Sequence, residues 1–243
     1  MAVPRLYVPT MSGSKERVLL PEDEAHHAAR VLRLPDRAPV RIFDGKGREW
    51  SGRIESGSKR GEVTVVIDQE ISPVTEPAVA VTLGIAVLKG DQMDNVIRDA
   101  TALGVAAIAP MATAHVTVPP RAWQSGAVVE RWQRVAVAAA KQCGRAVVPD
   151  VRPVASLADV VGIRADSTWL CAEPALTAPA SSADAHPGTS ALVLVGPEGG
   201  WAEQEIELVR AAGGKFLSLG PRTLRAELAP AVALAALWAK WGW

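Results

Sequence analysis

The chain has 243 residues, 49% hydrophobic and 21% charged, with 26 basic side chains set against 26 acidic ones. That is an ordinary globular composition, long enough to bury one large core or two modest ones, and zero net charge argues on its face against a nucleic-acid partner. The longest apolar run, Leu228 to Ala239, contains Pro230 and is too short to span a bilayer; the start MAVPRLYVPT has no apolar signal core, so no membrane contact and a cytoplasmic location are expected.

Ahead of ISPVTEP (Ile71 to Pro77), short β-prone pieces alternate with turns: RLYV, VRIFDGKGREWSGRI and GEVTVVI. The DGKG between RIF and REW is a hairpin signal, and one helix is expected near His26 to Leu34. The prolines and polar residues of ISPVTEP mark a boundary. The expectation is a small β-barrel domain over residues 1–73 and a second domain over 74–243.

Beyond the boundary, strand and helix patterns alternate. VAVTLGIAVL reads as a strand. GDQMDNVIRDATALG puts Met93, Val96, Ile97, Ala100 and Leu103 on one face, with Asp91 as N-cap and Gly104 as the stop. VAAIAP is the next strand. VVERWQRVAVAAAKQCG then aligns Val128, Trp132, Val135, Ala136, Ala139 and Cys143 before Gly144. STWLCAEP, ALVLVGPEGG and KFLSLGPR follow as strand-loop units, and a last helix runs from about Ala229 to Lys240, with Pro230 tolerated in its first turn. Such alternation predicts a parallel α/β sheet covered by helices on both faces. The stretch APASSADAHPGTS (Ala178 to Ser190) is poor in apolar residues and is expected to be a mobile surface loop.

The charge balance conceals a distribution. From His26 to Arg60 nine Lys or Arg stand against four acids, and Arg121 to Arg152 holds six basic residues against two acidic ones. These stripes suit phosphate contacts and equally suit solvated faces. Cys143 and Cys171 match no metal-ligand spacing, and the four histidines have no Cys or carboxylate partners at ligand spacing, so reduced thiols and no metal are expected.

The chemistry is concentrated in LVGPEGGWAEQEIELV (Leu194 to Val209), where a buried-looking strand enters a glycine turn and then a helix opening with acids. Glycine loops at helix starts often hold phosphate, but no Lys-Ser or Lys-Thr pair follows here. Glu198, Glu203 and Glu205 already oppose the helix dipole and would repel a pyrophosphate. A neutral or cationic ligand fits better, and S-adenosylmethionine, with its sulfonium and ammonium and no phosphate, has that character. The same pentapeptide could equally be a tight turn with capping acids. A second glycine turn, SLGPRTLRAELAPAVALAAL, carries two arginines into the last helix.

Taken together, RLYV, HHAARVLRL with FDGKGREW, KGDQMDNVIRDATALGV, ERWQRVAVAAAKQCGRAVVP and the two glycine turns, in that order, resemble the bacterial ribosomal RNA small subunit methyltransferase E family. The resemblance runs over most of the chain. It departs in the last motif, where Leu224 to Ala229 reads LRAELA against the family's usual LRTETA, leaving Ala226 and Leu228 without hydroxyls. It departs again at Lys141, Gln142 and Cys143, where Glu-Gln-Ser is frequent.

The resemblance implies an N-terminal PUA-like barrel and a SPOUT-type α/β domain whose C-terminal part threads into a trefoil knot. It further implies S-adenosylmethionine as cofactor, 16S rRNA within the 30S subunit as partner, pairing into a homodimer, and methylation at N3 of a uridine. Carried over by position, one cofactor loop is Gly196, Pro197, Glu198, Gly199 and Gly200. The other is Leu219, Gly220, Leu224 and Arg225, with Ala172 and Glu173 as a third wall. Uracil N3 is a poor nucleophile until its proton leaves. Arg225 or Arg5 is therefore a candidate to stabilise the anion and Glu198 or Glu227 to take the proton. Arg5, Arg30, Arg33, Lys89 and Arg145 are the RNA-contact candidates. The rival readings are a knotted methyltransferase acting on ribose 2′-OH or another base, a non-catalytic RNA-binding module, and an unrelated α/β cofactor protein.

Overall fold

The computed structural model describes residues 3–11, 16–56, 62–172 and 188–241. Most of the Ala178 to Ser190 stretch, and Glu173, lie outside the described residues. Two compact units result: Met1–Glu76 with Ala140–Val148, and Pro77–Ala139 with Pro149–Trp243.

In the first unit, strands β1 (Arg5–Tyr7), β2 (Arg17–Leu19), β3 (Pro39–Phe43), β4 (Glu49–Ser56) and β5 (Val63–Ile71) form one sheet in the order β1-β3-β4-β5-β2. β1 lies parallel to β3 and the other pairs are antiparallel. The expected hairpin joins β3 to β4. Asp44 organises it, its Oδ1 accepting the backbone N–H of Lys46 (2.7 Å) and of Arg48 (3.1 Å). Register slips between Ser51 and Gly52, where a Cβ on Gly52 would lie 2.5 Å from the Val66 carbonyl oxygen. Only glycine fits that bulge. Leu6, Val40, Ile42, Trp50, Ile54 and Val65 fill the core beneath the sheet.

The helical segment starts earlier than its pattern suggested. Helix α1 (Glu22–His26) follows Pro21 with three acids in its first turn, and a π-helical turn, His27–Val31, continues it. Acids favour a helix N-terminus, which explains the early start. The unit boundary also differs from the break expected after residue 73. It falls after Glu76, and residues 140–148 return to the first unit. Ala140 and Ala146 pack on Phe43 there, and Lys141 Nζ binds both Glu24 carboxylate oxygens at 2.8 Å.

The second unit holds β6 (Ala80–Ala86), β7 (Ala107–Ala112), β8 (Asp150–Val151), β9 (Ala155–Ser156), β10 (Ser167–Cys171), β11 (Ser190–Val195) and β12 (Lys215–Leu217). All their pairings are parallel, in the order β12-β10-β11-β6-β7-β8, with β9 also on β7. β11 and β7 are buried almost throughout, as strands covered on both faces must be.

Helices α2 (Gln92–Ala102), α3 (Gly126–Cys143), α4 (Leu157–Val161), α5 (Glu203–Ala211) and α6 (Ala229–Trp241) complete the elements used below. Met93, Val96, Ile97 and Ala100 are buried along α2, and Gly104, at φ +86°, ends it. Trp132, Ala136 and Ala139 are buried along α3, which stops at Gly144. Trp238 of α6 is buried and donates its indole N–H to the Leu103 carbonyl at 2.6 Å. Among the described residues no helix is long and apolar enough to cross a membrane.

Candidate active site

The carboxyl ends of parallel strands are where open α/β sheets present their binding crevices. Here the segments leaving β10, β11 and β12 surround a cleft of about 490 Å³, with the start of α2 as its further wall. That volume lies in the range of small-molecule sites. Gly196, Pro197, Glu198 and Gly200 line it from one side and Leu219, Gly220, Leu224 and Arg225 from another. Ala172 and Glu227 face it as well. Gly199 does not; its backbone is turned to His115, whose Cβ would lie 2.8 Å from a Cβ on Gly199.

The first loop is shaped by packing within the protein. A Cβ on Gly196 would meet the Trp201 ring at 2.9 Å, and Trp201 donates its indole N–H to the Cys171 carbonyl at 2.9 Å. One tryptophan thus ties the loop after β11 to the end of β10. Gly200 adopts φ +72° and closes a turn onto the Pro197 carbonyl at 3.0 Å. His115 Nδ1 sits 3.0 Å from the Gly199 carbonyl and 3.2 Å from that of Gly200; carbonyls only accept, so this nitrogen carries the proton.

The three acids of the loop separate by role. Glu205 accepts from the backbone of Ala202 (2.9 Å) and Ala114 (2.8 Å), fixing the start of α5. Glu203 is exposed outside the cleft, and Glu198 lines it. Cys171 is buried, and burial pushes its thiol up to about 12, so it serves as a neutral wall.

In the second loop Gly220 has φ +104°, a conformation that disfavours any side chain although the space beside it is open. The Arg225 carbonyl accepts from Leu228 and Ala229 at 3.0 Å each, starting α6, with Pro230 inside its first turn. The Arg225 side chain is 86% exposed, and its Nη1 stands 4.0 Å from Glu227 Oε1. Of the two positions lacking hydroxyls, Ala226 is buried against the cleft and Leu228 is exposed.

Two expected RNA contacts require correction. Arg5 donates to Glu49 (2.9 Å) and to the carbonyls of Ala140 (2.7 Å) and Arg145 (2.9 Å), and its guanidinium lies 4.6 Å from the centre of the Phe43 ring. Arg145 is buried and forked onto Glu76. Both guanidiniums are engaged with carboxylates and carbonyls inside the first unit. Arg30 and Arg33 are exposed in that unit, and Lys89 is exposed just after β6 in the other. Arg33 has φ +51°, unusual for a residue with a side chain. Of the paired histidines, His26 is exposed and His27 half-buried, as neighbours on a helix should differ.

The sequence reading missed Gln92 and the clamp role of Trp201. Gln92 opens the helix that follows the carboxyl end of β6 after a short connection, and that position alone could have flagged it. Among the described residues no cluster of three metal-ligating side chains occurs.

Two known families match the chain. The RNA methyltransferase domain family matches residues 75–238, and the RNA methyltransferase PUA domain family matches residues 20–68. The protein is therefore an RNA methyltransferase with an attached PUA domain. Ribosomal RNA small subunit methyltransferase E of Synechocystis is 32% identical over 236 residues, covering 95% of this chain and 76% of the relative. The Bacillus subtilis protein of that name is 30% identical, covering 88% and 87%. A crystal structure of the Neisseria gonorrhoeae ribosomal RNA small subunit methyltransferase E, bound to S-adenosyl methionine, superposes with a TM-score of 0.89 at 29% identity, covering 99% of this chain and 98% of that one. The chain belongs to the ribosomal RNA small subunit methyltransferase E family.

Proposed function

We propose that this chain transfers the methyl group of S-adenosylmethionine to N3 of one uridine in 16S rRNA. The observation that carries this reading is the cleft itself: two glycine turns and apolar walls, with Glu198, Arg222, Arg225 and Glu227 among its polar lining. Those residues fit the cofactor, which supplies an electrophilic methyl carbon on a sulfonium.

The chain's own contribution is positioning and charge. Gly196 leaves room for the Trp201 ring, Gly200 turns the first loop and Gly220 the second, so backbone groups of both can face an adenosine portion. The exposed Arg225 guanidinium stabilises the uracil anion, and Glu198 or Glu227 accepts the N3 proton. Arg30, Arg33 and Lys89 contact RNA phosphates. In this reading the substrate is the rRNA within the 30S subunit, the C-terminal segment is threaded as a trefoil knot, and the chain works as a homodimer in the cytoplasm.

The test is incubation of the protein with methyl-labelled S-adenosylmethionine and 30S subunits lacking native uridine-N3 methylation, followed by nucleoside analysis. Label in N3-methyluridine is expected. Label in another nucleoside would keep the methyltransferase and remove the uridine assignment.

A further inference from the structure

His115 follows the end of β7 and lies outside the cleft, against the Gly196–Gly200 loop that lines it. Its Nδ1–H is shared between the Gly199 carbonyl at 3.0 Å and the Gly200 carbonyl at 3.2 Å. Glu205 joins the same two segments a few residues away, accepting from the backbone of Ala114 at 2.8 Å and of Ala202 at 2.9 Å. The segment leaving β7 therefore holds the loop leaving β11 at two points, and only the His115 contact falls on the glycines themselves. Gly199 is fitted to that contact. It has no left-handed φ to call for glycine, yet a Cβ there would lie 2.8 Å from the His115 Cβ and 3.3 Å from the His115 carbonyl oxygen. Glycine at 199 makes room for His115 and not for a ligand.

We infer that His115 is a positioning residue of the cofactor site: its Nδ1–H fixes the Gly199 and Gly200 carbonyls, so the loop stands formed before the ligand arrives. This rests on the cofactor reading above. Two adjacent glycines give a chain its widest backbone freedom, and a ligand that had to order them would lose that entropy from its own affinity. A side chain that orders them during folding spares the ligand this cost, and affinity rises without any contact between His115 and the ligand. The working atom is the proton on Nδ1. A group of the same shape with no donor there would leave both carbonyls released.

The experiment compares the full chain with His115→Asn and His115→Leu. Asparagine carries an N–H at the branch position where histidine carries Nδ1, and leucine has the same branching with no donor. Calorimetry reads S-adenosylhomocysteine affinity, amide exchange reads Glu198 to Trp201 in the ligand-free protein, and a thermal melt confirms that each variant folds. His115→Leu is expected to bind about fivefold more weakly or worse and to exchange the loop amides faster, while His115→Asn stays within about twofold of the unsubstituted protein on both. A folded His115→Leu that binds and exchanges like the unsubstituted protein overturns the assignment. So does an asparagine variant that falls as far as the leucine one, because ring packing and not the N–H would then hold the loop. An unsubstituted protein that binds no S-adenosylhomocysteine overturns it through the cofactor reading instead, a failure that the exchange data keep separate.

Discussion

The buried cations of the first unit and the exposed arginines of the second unit's cleft are charged alike and stand in opposite circumstances. Arg5 has a side chain 10% exposed beside a Glu49 side chain 3% exposed, and Arg145 and Lys141 are similarly engaged with Glu76 and Glu24. Arg225 is 86% exposed and 4.0 Å from its nearest carboxylate. Charges removed from water must be fully paired, whereas a charge left in water remains available to a substrate. Burial, more than residue type, therefore divides the structural arginines from the candidate working ones.

The comparison breaks most sharply at Arg5. Arg5→Ala leaves Glu49 buried without its cation and deprives the Ala140 and Arg145 carbonyls of donors. Removing one partner of a buried pair destabilises by about 3–5 kcal/mol, which a urea titration would read directly. A loss under about 1 kcal/mol would place the pair with ordinary surface bridges.

Gly196→Ala comes next and acts on the other unit. The added Cβ has to displace the Trp201 ring, so a loss of about 1–3 kcal/mol in stability is expected, together with S-adenosylhomocysteine affinity at least about tenfold lower. Unchanged affinity in calorimetry would mean that the loop does not form the binding wall.

The smallest effect concerns pH. Burial, and then the neighbouring Lys141 ammonium, hold the His27 imidazolium below its ordinary value of 6.5. The unfolded chain takes up that proton first, so stability falls as pH drops through about 6.5 and levels off below the folded value. His27→Gln is expected to show a shallower decline in urea midpoint between about pH 7.5 and pH 5.5. An identical slope would show that His27 does not contribute.

Periodicity made the second unit legible. Met93, Val96, Ile97 and Ala100 marked the buried face of α2, and the apolar run before Gly196 marked β11, because helix and strand periods are local properties. The return of residues 140–148 to the first unit was not legible, since it depends on Lys141 and Arg145 meeting carboxylates more than 60 residues away in sequence. Arg5 misled for the same reason: alone in RLYV it reads as an outward-facing charge until Glu49 is found beside it. The GPEGG loop was found for a partly different reason than the one that shapes it. The sequence pointed to it through a glycine turn ringed by acids, whereas at Gly196 the atoms that demand glycine belong to Trp201.

The most direct test of the account is single-turnover transfer of labelled methyl to 30S subunits by Arg225→Ala. The variant is expected to keep its stability within about 0.5 kcal/mol, as suits an exposed side chain. Its transfer is expected to slow by about a hundredfold or more, as for loss of a group that stabilises developing charge. Transfer at the unsubstituted rate by the folded variant would contradict the account, because the exposed cation of the cleft would then have no part in the chemistry.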